Sequence, residues 1–138
     1  DCCRGDYVFV TCFSDAQRDL NNLKRHLLCV HRHRGEVEWS KIVRSTSREN
    51  RGPSFGTKHG FASHTPVSDG ERVYVLFGNS GVLAFDMEGN ELWKQDVGKE
   101  NASMFGSAAS PILYKDQLIV AASAGGSRPS FLATSWGK

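Results

Sequence analysis

Gly81-Val82-Leu83-Ala84-Phe85-Asp86-Met87-Glu88-Gly89-Asn90-Glu91-Leu92-Trp93-Lys94-Gln95 reads as a strand, a tight turn and a second strand. Apolar residues crowd both arms, and Gly89 sits where a short hairpin needs a positive φ. The period-two alternation of the arms predicts half-buried antiparallel strands. Immediately upstream, Gly78-Asn79-Ser80-Gly81 is a strong turn signal. It joins this hairpin to a further β-branched and aromatic run, Val73-Tyr74-Val75-Leu76-Phe77.

Working outward, the same arrangement recurs. Tyr7-Val8-Phe9-Val10-Thr11 and Leu118-Ile119-Val120-Ala121-Ala122 match the 73–77 run. Pro66 stands seven residues before Val73 and Pro111 seven before Leu118, each after a small hydroxyl residue, Thr65 or Ser110. The step between these copies is 45 residues. Carried back to Tyr7, the alignment puts the matching Pro one position before Asp1, so the chain is read as starting mid-strand. The first hairpin runs from Leu27-Leu28-Cys29-Val30-His31 through Arg32-His33-Arg34-Gly35 to Glu36-Val37-Glu38-Trp39. Trp follows the turn Gly by four residues in both copies, Gly35 to Trp39 and Gly89 to Trp93. In the third copy Phe131-Leu132-Ala133 takes the place of Val82-Leu83-Ala84 and Gly137-Lys138 that of the turn. Residues 127–130 have no counterpart, and Trp136, lying before that Gly, is not the repeat Trp.

A unit of about 45 residues with four short strands cannot cover both of its faces alone, and stacking such units around an axis does so. A Trp once per repeat fills the space between neighbours while its N–H finds a backbone acceptor. The expected fold is therefore all-β: a partial β-propeller of four-stranded antiparallel blades, about two and a half of them. Residues 1–55 form the first blade, with a polar insertion at 13–26 that includes a helical turn near Asp15 to Leu20. Residues 56–100 form the second, and residues 101–138 an incomplete or divergent third.

Residues 83–93 closely resemble the PQQ-like (quinoprotein-type) repeat, in which Ala84, Asp86, Gly89 and Trp93 hold the recurring positions. The resemblance runs to about residue 126. From His59-Gly60-Phe61-Ala62-Ser63-His64-Thr65-Pro66 onward the chain is similar to PQQ-like propeller proteins of planctomycete-type bacteria. The first copy departs from the pattern with His31 in place of Asp86, and the third with Ser135 near it. The repeat implies a ring of roughly seven or eight blades, within the general range of about four to eight. It also implies a binding module for a protein or small ligand in the periplasm or cell envelope, with further blades as neighbours. Two alternatives come with the family: part of a PQQ-dependent alcohol dehydrogenase, with PQQ and calcium as cofactors, or the sensor region of a bacterial serine/threonine kinase. An isolated set of two and a half blades leaves an uncovered inter-blade face and is expected to associate.

Composition fits this reading. Hydrophobic residues make up 39% and charged residues 23%, as in folded soluble domains. A net charge of +2 points to no nucleic-acid partner, and no apolar run is long enough for a transmembrane helix. Lys and Arg outnumber acids 11 to 7 over residues 1–58 and trail 6 to 8 thereafter, a mild asymmetry of loops. Cys2, Cys3, Cys12 and Cys29 fit neither a CxxC pair nor a zinc spacing. Cys12 and Cys29 lie in apolar strand-like segments and are expected to be buried free thiols, with a disulfide as the alternative in an exported protein. Dehydrogenases of the methanol type carry a vicinal disulfide against PQQ. The Cys2-Cys3 pair lacks their surrounding motif, and no calcium ligand set is matched. His31-Arg32-His33 is expected to face solvent. His59, Ser63 and His64, beside Lys58 in the Gly-rich approach to the second blade, are expected to bond within the blade, with a polar contact site as the alternative. Asn101-Ala102-Ser103 is a formal glycosylation acceptor of little weight. No phosphate-binding loop, GxSxG, HExxH or dinucleotide fingerprint occurs.

Overall fold

The computed structural model describes residues 3–15, 22–45, 61–97, 109–122 and 130–135. These form three antiparallel sheets, and no α-helix occurs among them. The first sheet, blade 1, holds β1 (Cys3–Arg4), β2 (Tyr7–Ser14), β3 (Lys24–His31) and β4 (Val37–Arg44) in that order. Blade 2 repeats the order with β5 (Val67–Ser68), β6 (Arg72–Leu76), β7 (Val82–Asp86) and β8 (Glu91–Gln95). In blade 3, β10 (Gln117–Ala122) pairs with both β9 (Ile112–Tyr114) and β11 (Ser130–Ser135). Consecutive strands of each sheet pair antiparallel, so each blade is a simple meander. The first strands of successive blades approach one another: the Thr65 amide donates to Ser110 Oγ at 2.9 Å. That bond spans one repeat and ties the residues that lead into β5 to those that lead into β9.

Pairing fixes which residues of the blades are equivalent. Trp39 faces Cys29, which faces Phe9; Trp93 faces Ala84, which faces Tyr74. Phe9 therefore corresponds to Tyr74, and Val8 to Val73. The alignment read from sequence, Tyr7 with Val73, is off by one residue. The turn before the second strand supplies the reason. Gly5, Gly70 and Lys115 all have positive φ (58°, 97° and 52°) and occupy one position of that turn. A Lys in this conformation tolerates what only Gly adopts freely. The match of Leu132 and Ala133 to Leu83 and Ala84 does hold, since Leu132 faces Val120 as Leu83 faces Val75.

Stretch 13–26 is not an insertion throughout. Cys12, Phe13 and Ser14 pair with His26, Arg25 and Lys24, so β2 and β3 climb well beyond the corresponding strands of blade 2. Residues 16–21, where the helical turn was expected, lie outside the described residues. Their polar flanks join strands because Arg25 and Phe13 have buried partners on the next blade. Blade 2 turns back sooner, through a 3-10 turn at Gly78–Ser80.

Two apolar clusters lie between the blades. Phe9, Leu27, Cys29 and Val43 of blade 1 meet Val73, Val75, Phe77, Leu83 and Phe85 of blade 2. The opposite face of blade 2, with Tyr74, Leu76, Val82 and Ala84, meets Leu118 and Val120 of blade 3. Alternate residues of β6 and β7 thus point into different clusters, and both strands are buried on both sides. The half-buried reading of β7 is corrected accordingly. Alternation is weak here because a neighbouring blade covers each face.

Candidate functional site

The sequence-predicted contact residues fall where blade 1 meets the approach to blade 2. Three blade 1 side chains hold that approach. The Arg25 guanidinium donates from Nε to the Phe61 carbonyl at 2.7 Å and from Nη1 to Ser80 Oγ at 3.2 Å. Thr11 Oγ1 lies 3.0 Å from the carbonyl oxygens of both Ala62 and His64. Phe13 packs edge-on against Phe61, ring centroids 5.4 Å apart, over buried Leu23. Arg25 is among the largest fully buried side chains of the molecule. A cation so placed is tolerable only with well-directed acceptors, and removing them would be costly. Of the residues singled out by sequence, His64 is buried and Ser63 exposed, while His59 and Lys58 lie outside the described residues. The side chains of Ser63 and His64 therefore do not share one open surface. Arg25 was missed, because Lys24-Arg25-His26 reads as a solvated run.

The repeat residues do their work between blades. Trp39 Nε1 donates to the Met87 carbonyl of blade 2 at 2.9 Å. Its ring lies against Gly89, where an added Cβ would come within 2.9 Å of Trp39 Cδ2 and 2.6 Å of Lys41 Cε. Gly89 is thus the seat for the preceding blade's Trp as well as a positive-φ turn residue. Trp93 leans on Tyr74 as Trp39 leans on Phe9, ring centroids 6.1 and 6.0 Å apart, and packs into the cluster toward blade 3. Asp86 organises its own hairpin. Its Oδ1 accepts from the amides of Glu88 and Asn90, and its Oδ2 from Asn90 Nδ2. These bonds, that from the Asn90 side chain foremost, hold its carboxyl below the usual carboxylate range. In blade 1, His31 Nδ1 takes the corresponding role, accepting from the His33 amide at 3.4 Å. Pro66 and Pro111 are both buried where their blades begin.

At the opposite end from Arg25, the first hairpins carry the remaining polar groups. Tyr74 OH donates to Asp69 Oδ2 at 2.8 Å. Burial, then that bond, pushes the phenol up to about 12. Burial opposes ionisation of Asp69, yet the Glu71 amide, the Tyr74 hydroxyl and the Arg72 amide hold its carboxyl below the ordinary value. On blade 1, Arg32, His33 and Arg34 are exposed, as expected, and Arg34 pairs with Glu36 and Glu38. His31 is half-buried against the Tyr7 ring. Cys29 is buried, and burial followed by the nearby Glu38 charge pushes its thiol up to about 11. Cys12, expected to be buried, is exposed. It stands on the side of blade 1 that no described residue covers.

These arrangements bear on chemistry. Among the described residues, no three His, Cys, Asp or Glu side chains come together as metal ligands. Asp69 and Asp86 are turned onto their own hairpins. No helix among the described residues is long and apolar enough to cross a membrane.

A family model described as outer membrane protein assembly factor BamB, built on PQQ-type repeats, matches residues 3–131. The chain belongs to this family. No curated protein matches it. Membership fits the molecule just described: a propeller family whose repeat Ala, Asp, Gly and Trp stand at Ala84, Asp86, Gly89 and Trp93, each holding a turn or a seam. The family also implies protein partners.

Proposed function

We propose that this chain is a non-catalytic propeller segment that binds a protein partner in the bacterial cell envelope, in the service of outer membrane protein assembly. The family match over residues 3–131 is the observation that carries the reading. The use of the polar side chains supports it: Arg25, Thr11, Trp39 and Asp86 hold blades and hairpins together. Recognition then falls to the exposed turns at the blade ends, as is usual where a rigid scaffold carries variable loops. A photo-reactive residue at exposed Ser63 or Glu88 tests this in the native envelope. Adducts with an envelope assembly protein are expected from one position and not the other. Equal labelling of many unrelated proteins from both positions would defeat the reading. The PQQ-dependent dehydrogenase is tested separately, by adding PQQ and Ca²⁺ and following quinone absorption and dye-linked alcohol oxidation. Turnover there would replace the binding module with an oxidoreductase.

A further inference from the structure

Among the described residues, the seam between blades 1 and 2 holds two sulfur-bearing side chains, Cys29 and Met87. They differ in access. Cys29 is 1% exposed, and its raised thiol stays protonated at neutral pH, which leaves it inert toward oxidants. Met87 is half-buried: part of it packs against the apolar cluster of the seam and the rest reaches the surface. A thioether has no proton to lose, so its reaction with a peroxide does not wait on ionisation. Met87 also joins the seam through its backbone. Its carbonyl accepts the Trp39 indole N–H at 2.9 Å, and Gly89, two residues on, seats the Trp39 ring. The turn that carries both is held to one shape, since Asp86 binds the amides of Glu88 and Asn90. A change in what the Met87 side chain tolerates around it is therefore passed to the contact with blade 1 rather than absorbed in the turn.

We propose that Met87 is an oxidation site through which a peroxide loosens the seam between blades 1 and 2. A sulfur lone pair takes the terminal oxygen of hydrogen peroxide. The S–O bond forms as the O–O bond breaks, and the proton passes to the departing hydroxide, which leaves as water. Sulfur gives up two electrons and the peroxide gains them. The product sulfoxide is polar and chiral where the thioether was apolar and pliable. Its oxygen needs a hydrogen-bond donor, which an apolar cluster does not supply. The side chain turns out to water, the cluster loses cover at that edge, and the Met87 carbonyl and Gly89 hold Trp39 less firmly. A methionine sulfoxide reductase reverses the step: two thiols become a disulfide, the oxygen leaves as water and the thioether returns. The inference stands apart from the proposed function, since it concerns a seam inside the chain.

Met87 and Met104 are the two methionines of the chain, so Met104→Leu leaves Met87 as the single thioether. That variant is treated, folded, with hydrogen peroxide and then with a thiol reductant, which reverses cysteine disulfides and sulfenic acids. Peptide mass mapping is expected to place one added oxygen on Met87. In urea unfolding, the treated chain is expected to show an unfolding equilibrium constant raised about tenfold, the effect of a polar group left against an apolar surface. Reductases for both sulfoxide epimers are expected to restore the untreated curve. Met87→Leu is expected to unfold alike before and after peroxide. Met87→Gln, which puts a polar amide there permanently, is expected to match the oxidised chain without any peroxide. A folded chain whose Met87 takes up no oxygen overturns the proposal, as does oxidation that leaves the curve unmoved. An equal shift in Met87→Leu, a curve the reductases do not restore, or a Met87→Gln chain as stable as the unmodified one also overturns it. Where Met104→Leu does not fold, the unmodified chain is compared with Met87→Leu in the same way.

Discussion

Blade 1 and blade 2 share one repeat, yet their second and third strands have different surroundings. In blade 2 every residue of 73–77 and 82–85 is buried, half toward blade 1 and half toward blade 3. In blade 1 only the side carrying Phe9, Leu27 and Cys29 is covered, and Val10 and Cys12 opposite are exposed. Position in the stack, more than strand composition, sets what a side chain contributes. The same kind of residue should therefore matter greatly in one blade and little in the other.

The largest effect is expected at the link between the two. Trp39→Ala removes the indole from its seat on Gly89 and its bond to the Met87 carbonyl, and should cost about 3–4 kcal/mol in urea unfolding. A loss below about 1 kcal/mol would mean the seam does not depend on this residue. Next comes a matched pair. Leu83→Ala, buried between blades, should cost about 3 kcal/mol, and Leu28→Ala, its half-buried counterpart in blade 1, about 1 kcal/mol. Both are to be measured at dilution, where copies do not associate; equal losses would erase the distinction between the blades. The two turn glycines sharpen it further. Both have positive φ, so Ala strains either by about 1 kcal/mol. At Gly89 the new methyl also collides with Trp39 and Lys41, while at Gly35 it meets nothing within 4 Å. Gly89→Ala should thus lower Tm clearly more than Gly35→Ala.

The smallest expected effect is set by pH. Cys29 lies in the seam between blades 1 and 2, and Tyr74 in that between blades 2 and 3. Both folded values are raised, to about 11 and about 12, so each group stabilises the fold while neutral and ceases to do so as it ionises. Stability should hold up to about pH 9 and then fall, first over the thiol range of 9 to 11 and then over the phenol range of 10 to 12. Cys29→Ala should flatten the first part in a pH series of thermal melts, and Tyr74→Phe the second. Identical curves for both variants would remove the link between each residue and its seam.

Much of this was legible in the residues. The spacing of Pro66 and Pro111, and of Gly and Trp in two hairpins, revealed the blades, their order and the match of Leu132 to Leu83. The first blade was read one residue out of register because no Pro marks its start, and the Gly5 turn carries the signal instead. Strand 82–86 was taken as half-buried because a sequence pattern cannot say whether a second neighbour exists. The partnership of Trp39 with Gly89 was hidden for a similar reason: both residues were noted, each in its own hairpin, while the contact runs between hairpins. Arg25 and Thr11 were beyond reach. Their acceptors are backbone carbonyls and a hydroxyl some 36 to 55 positions away, which leave no mark in the local sequence.

The bond from Trp39 to Met87 crosses 48 residues, always forward along the chain. During synthesis the first blade therefore emerges with its indole and its apolar side unsheltered, and waits until the second blade's last hairpin has left the ribosome. At roughly 5–20 residues per second that interval is a matter of seconds. It is then that a nascent chain of this kind is most open to chaperones and to mispairing with other nascent chains.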